Sequence, residues 1–289
     1  EIELAEPVGK QRNSYKLYDV RSGKVPEFLY YDYIFSGYRV NFSWPLCFQS
    51  IYRLHNETGN IWTHLAGFWI FVGILWYSWV NIFDDDTVAN LMIVIYVLAA
   101  CVCLGSSAFF HTCGCHSHKA YNVCAQADYT GVLIMIVGSF YPGVYFAFYC
   151  QEFYQKLYLY GITVVTGGLI AFSLTETFRH PEFRVGRALL FAMFGGLGLV
   201  PIGHYLATHS MFEPLLLVFS TGVLFMCLFY LGGLAFFITQ FPESKWPGKF
   251  DLWGHSHQYW HLCVFFAQFV YFVSVAYAYS IRHQIACDA

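Results

Sequence analysis

The stretch Thr87-Val-Ala-Asn-Leu-Met-Ile-Val-Ile-Tyr-Val-Leu-Ala-Ala-Cys-Val-Cys-Leu-Gly-Ser-Ser-Ala-Phe-Phe110 carries no charge and follows directly on the acidic triplet Asp84-Asp85-Asp86. A helix that crosses a bilayer needs about 20 such residues, because a charge at the bilayer centre costs roughly 2.5–3.5 kcal/mol on insertion scales. Working outward, uncharged runs of sufficient length recur at 60–83, 129–151, 157–175, 188–212, 214–242 and 252–281. The expected fold is therefore all-α and integral to the membrane, a seven-transmembrane helix bundle. Composition agrees. Charged residues make up 11% of the 289, against about 25% in a soluble domain. Aromatic residues make up 21% and the apolar fraction is 57%, which excludes disorder. The net charge of −3 excludes a basic nucleic-acid binder.

Seven spans put the termini on opposite sides. All but two of the 15 Lys and Arg, namely Lys156 and Arg282, fall on the side of the N-terminus, and the triplet Asp84–Asp86 falls on the other. The positive-inside rule then places the N-terminus in the cytoplasm and the C-terminus outside or in a lumen. Four segments follow: a cytoplasmic N-terminal segment at 1–41, an interfacial amphipathic helix at 42–53, the membrane domain at 60–281, and a short non-cytoplasmic tail at 282–289. The chain begins at Glu1 without Met and has no apolar core of signal-peptide type, as expected of a piece of a longer protein. Trp44, Trp246 and Trp253 near the inner boundary, and Trp76 and Trp79 near the outer one, suit interfacial anchoring. Gly195, Gly196, Gly198, Gly232 and Gly233 suit close helix packing.

Ionisable groups near membrane depth are functional candidates when a partner can be named. Ser107 and His111, four apart, end the second run; Asp128 opens the third; His257 and His261, four apart, stand near the start of the seventh. Residues four apart share a helix face. The alternating direction of the spans delivers all of them to one leaflet. One histidine at a helix end is ordinarily a hydrogen-bonded structural group, but three with an aspartate at one depth point to a metal site. Imidazole and carboxylate favour zinc among the common metals, with iron and nickel open on ligand type. Three ligands leave the open fourth position of a catalytic site. Asp128 is either the fourth ligand or the group that holds and deprotonates a water, and Ser107 suits a supporting place beside a ligand or an oxyanion.

Other residues compete. The loop His111-Thr-Cys113-Gly-Cys115-His116-Ser-His118 is a weaker metal candidate and an alternative site of acylation. Cys101, Cys103, Cys227 and Cys263 lie inside spans and serve as small apolar residues. Cys150 and Cys287 fall on the non-cytoplasmic side, where a disulfide is chemically permitted. His204 and His209 belong to the outer end of the fifth run, away from the cluster. Arg179, Arg184 and Arg187 are topology determinants before they are lipid-headgroup ligands.

Four separated motifs, Leu54-His-Asn-Glu57-Thr-Gly-Asn60-Ile-Trp62-Thr-His64, Ser107-x3-His111, Asp128-Tyr129 and Pro247-Gly-Lys-Phe-Asp251-Leu-Trp253-Gly-His255-Ser-His257-Gln-x2-His261, resemble the progestin and adipoQ receptor (PAQR) family over 30–281. The resemblance implies a zinc ion on the inner-leaflet side held by His111, His257 and His261, with Asp128 as the site carboxylate and Ser107 as the motif serine. Gly37-Tyr38-Arg39, Leu46-Cys47 and Phe146–Cys150 look nearer to that family's Raf-kinase-trapping Golgi member than to its adiponectin receptors. Two functions follow as expectations. One is a zinc-dependent, ceramidase-like hydrolase of a lipid amide, with ceramide or a free fatty acid as ligand. The other is a non-enzymatic receptor or anchor in the Golgi or plasma membrane, with zinc as a staple and a cytosolic signalling partner on the N-terminal segment. An ion or proton pathway is disfavoured, because the ionisable groups form no chain across the membrane.

Overall fold

The computed structural model describes residues 14–208, 214–284 and 287. The first thirteen residues, His209 and part of the expected tail lie outside these. Ten α-helices are described: α1 (Trp44–Ser50), α2 (Thr58–Asn81), α3 (Thr87–Cys113), α4 (His118–Ala147), α5 (Glu152–Ser173), α6 (Glu176–Arg179), α7 (Arg184–Gly196), α8 (Leu199–Thr208), α9 (Pro214–Thr239) and α10 (Ser256–Ile281). Seven spans result, with α7 and α8 together forming the fifth. Helices are the required form, since the bilayer offers no partner for a free backbone N–H or C=O.

Local chemistry sets the helix starts. Asp86 accepts from Ala89 N at 3.0 Å to begin α3, and Ser117 accepts from Ala120 N at 3.2 Å to begin α4. α4 therefore begins well before the expected 129, and Asp128 lies about three turns inside the helix instead of at its mouth. An uncharged run ends at any charge, whereas a helix continues through one that finds a partner. α3 likewise runs on through His111 to Cys113. α1 is shorter than 42–53, and its chain leaves through a turn closed by Arg53 N to Ser50 O at 2.9 Å.

The core lies among α2, α3, α4 and α10, where Phe71, Tyr96, Leu104, Tyr271 and Val275 pack together. Close approach is obtained with small residues: a Cβ on Gly131 would meet Cys103 Cα at 3.1 Å, and one on Gly138 would meet the Ala99 side chain. Among the glycines expected to pack closely, Gly233 faces Trp260 and Cys263, whereas Gly195, Gly196 and Gly232 face open space. Gly198 instead sits at the break between α7 and α8. Among the described residues, α5 packs mainly on α4, and α7–α8 makes no extended contact with α9.

The ends of the bundle are built differently. At the Asp84 end, Arg282 is buried. It donates to Asp86 Oδ2 at 3.0 Å and to Tyr279 O at 2.6 Å, and it pairs with Asp84. Cys150 and Cys287 form a disulfide there. At the other end, the segment from residue 14 to α1 forms a small layer of its own. Strands β1 (Leu17–Tyr18) and β2 (Tyr38–Arg39) pair antiparallel, Leu17 opposite Arg39, over a core of Val25, Ile34 and Tyr38. That layer lies against the end that carries the histidines.

Candidate metal centre

His111 is in the last turn of α3, and His257 and His261 are one turn apart at the start of α10. Their ligand nitrogens all lie within 4.8 Å of one another. His111 Nε2 and His257 Nε2 are 3.4 Å apart, close to the roughly 3.3 Å edge of a tetrahedron with zinc–nitrogen bonds of about 2.0–2.1 Å. His111 and His261 are almost fully buried.

The other ring nitrogens decide the tautomer. Nδ1 of His111 faces Glu57 Oε2 at 2.8 Å, and Nδ1 of His261 faces the Asn60 carbonyl at 3.1 Å. Both partners are acceptors, so each Nδ1 carries the proton and each Nε2 presents a lone pair inward. Metal-binding histidines are held in this way. Glu57 also accepts from Asn60 Nδ2 at 2.6 Å and meets the Tyr31 hydroxyl. Burial pushes the Glu57 carboxyl up, but the hydrogen bonds it accepts from His111 and Asn60 and the charge of Arg39 act the other way and hold it below the ordinary carboxylate range. His64 stacks on His261 with ring centres 3.7 Å apart, and its Nε2 lies 3.3 Å from the His261 carbonyl. The Nδ1 of His64 and the Oδ1 of Asn60 are buried without a hydrogen-bond partner in the structure.

Asp128 stands outside the group of mutually close ligand atoms. Its carboxyl meets the buried Ser107 hydroxyl, with His111 and Arg187 within electrostatic range. Arg187, read from the sequence as a topology determinant, is buried: its guanidinium lies 4.4 Å from the Tyr129 ring centre and donates to the Phe178 carbonyl.

The competing loop is otherwise occupied. Cys115 Sγ lies 3.7 Å from Cys47 Sγ, His116 Nδ1 lies 2.7 Å from the Phe42 carbonyl, and the His116 ring stacks on Trp44 at 4.3 Å. Among the described residues, no group of three mutually close ligands forms there. His204 pairs with the Tyr158 hydroxyl at 2.9 Å, away from the cluster.

The sequence had marked the histidines, Asp128 and Ser107 but assigned no part to Glu57, Asn60 or His64. Their spacing of three and four places them on one helical stripe, a signal that was present. Arg39, Tyr31 and Arg187 had no such signal, since only packing brings them near.

Among the described residues, seven spans around a three-histidine group define a multi-pass membrane protein of receptor-like architecture with a candidate metal centre. The family model described as Haemolysin-III related matches residues 52–272, and the chain belongs to that family. It is 35% identical over 247 residues to "Adiponectin receptor protein" of Drosophila melanogaster (85% of this chain, 56% of the relative). It is 36% identical over 240 residues to "Progestin and adipoQ receptor-like protein 1" of Caenorhabditis elegans (81% and 54%). To human "Progestin and adipoQ receptor family member 3" it is 28% identical over 260 residues (88% and 84%). The chain thus spans little more than half the length of the first two.

Proposed function

We propose that the three histidines hold a zinc ion and that the site hydrolyses the amide of a membrane lipid, a ceramide being the candidate substrate. The observation that carries this is the orientation of the imidazoles: Glu57 and Asn60 occupy the Nδ1 atoms of His111 and His261, which turns the Nε2 atoms toward one point. Neutral nitrogen donors suit zinc better than calcium or magnesium, and three leave one tetrahedral position open. Zinc, when bound, lowers the pKa of a water toward neutrality and polarises a carbonyl.

The protein's own groups do the rest. Asp128, beside the ligand group but outside it, accepts the proton of the attacking water and returns it to the leaving sphingoid amine. Ser107 holds the Asp128 carboxyl in place. Arg187 lies within electrostatic range of the Asp128 carboxyl and favours its charged, proton-accepting form. We place the histidine end at the cytoplasmic leaflet. The Lys and Arg distribution supports this, as does the disulfide at the opposite end, since disulfides persist in oxidising compartments.

The names of the relatives favour a receptor as the second role; in that reading, or in an anchor, the metal is structural and the N-terminal segment meets a cytosolic partner. Purified protein in lipid nanodiscs, assayed for zinc content and for release of fatty acid from ceramide, separates the two. Hydrolysis that disappears with the zinc in His261→Ala supports the hydrolase; zinc loss with turnover unchanged removes it. Zinc without turnover leaves the receptor role.

A further inference from the structure

Arg39 lies in the segment ahead of the first span, far in sequence from His111, yet it is only 2% exposed. Its guanidinium donates to the His111 carbonyl at 2.5 Å, to the Thr112 carbonyl at 3.0 Å and to Ser50 Oγ at 2.6 Å. Those two carbonyls belong to the last turn of α3, whose final C=O groups have no partner within the helix and carry the negative end of its dipole. A planar, permanently charged fork meets the two adjacent carbonyls with N–H groups fixed in one plane, a preorganised geometry that a lysine ammonium lacks. Arg39 therefore acts as a cap supplied from another part of the chain, on the residue that bears a proposed metal ligand.

The cap is itself held rigidly. Arg39 follows Tyr38, whose hydroxyl donates to the Ile34 carbonyl at 2.9 Å, and it pairs with Leu17 across β1. Gly37 has φ +87, and a Cβ there would stand 3.0 Å from Asn56 N, so the chain passes in a form that favours glycine. Just before Gly37, the same segment is fastened to the loop that leads into α10. Asp251 accepts from Phe35 N at 3.0 Å, from Ser36 N at 2.8 Å and from Ser36 Oγ at 2.6 Å. One short segment, residues 35–39, thus grips the end of α3 that carries His111 and the approach to the helix that carries His257 and His261.

We propose that Arg39 is a positioning residue of the metal centre. By fixing the last turn of α3 against the N-terminal layer, it sets where the His111 imidazole stands relative to His257 and His261. The inference rests on the three histidines binding a metal, and the test keeps the two apart. Full-length protein in detergent is loaded with cobalt(II) in place of zinc. Its visible d–d spectrum and its affinity by chelator competition are then recorded for wild type, His261→Ala, Arg39→Ala and Arg39→Lys on the monodisperse fraction. Expected are a bound cobalt in wild type, loss in His261→Ala, and in both Arg39 variants an affinity lower by about tenfold or more with a changed band, as when a supporting partner of a ligand is removed. Should Arg39→Ala fail to fold, Arg39→Lys decides, since it keeps charge and bulk and loses only the fork. Wild-type affinity and spectrum in the Arg39 variants, with His261→Ala empty, overturn the positioning role alone. No cobalt in wild type overturns the metal centre and this inference with it.

Discussion

Oε2 of Glu57 lies 2.8 Å from Nδ1 of His111, so a carboxylate that precedes the first span orients a histidine that closes the second. A charged acceptor on Nδ1 both fixes the tautomer and makes Nε2 a stronger donor to a metal. Glu57→Gln keeps an acceptor but loses the charge. Metal retention is expected to weaken by about tenfold to a hundredfold. Chelator competition on the purified variant checks this, and wild-type retention would remove Glu57 from the centre.

Asp128→Asn is expected to keep the metal, because the Asp128 carboxylate lies outside the mutually close ligand set. Lipid-amide hydrolysis should fall by about 10²–10⁴, the range for losing a proton-transfer group. Ser107→Ala, which frees the carboxyl without removing it, should cost less. Metal analysis beside turnover decides, and metal loss in Asp128→Asn would make Asp128 a ligand.

His55 gives the histidine end a pH dependence. Its Nε2 faces the Ser50 carbonyl at 3.2 Å and its Nδ1 accepts from Glu57 N at 3.1 Å. Burial, helped by Arg39, brings its pKa down to about 3. The unfolded chain takes up this proton near 6.5 and the native state does not. The contribution is therefore complete above about 6.5 and lost as pH falls toward 3, at up to about 1.4 kcal/mol per pH unit. Melting between pH 7.5 and 5 should show a smaller fall in Tm for His55→Gln than for wild type; equal slopes would show that His55 is not the sensor.

At the opposite end, the Cys150–Cys287 disulfide closes a separation of 137 residues beside the Arg282 ion pairs. Cys150→Ser is expected to lower stability by about 2–4 kcal/mol. Peptide mapping under non-reducing conditions and the melting temperature in detergent test the bond and its weight in turn. An unchanged Tm would mean that the Arg282 pairs alone hold this end.

Much of the candidate site was legible because helical periodicity is local. The spacing of His257 and His261, and of Ser107 and His111, states which face each shares before any packing is known. Helix direction then places those faces at one end. Asp128 is conspicuous in the sequence as a charge, but its depth is not, since an uncharged run ends at Asp128 whether or not Ser107 of the neighbouring helix receives it. The burial of Arg187 is invisible to the sequence for the same reason, since it depends on Tyr129 and on the Phe178 carbonyl.

The sequence by itself determined the number of spans and the three histidines, because insertion into a bilayer and helical period act on neighbouring residues. It also left Cys150 and Cys287 free to pair without stating that they do. Tertiary structure alone decided which nitrogen of each imidazole faces inward, that Arg39 caps the α3 end, and that Cys150 reaches Cys287. Each of these depends on groups distant along the chain meeting within a few ångströms, and a directional bond of that kind is set by how the helices pack.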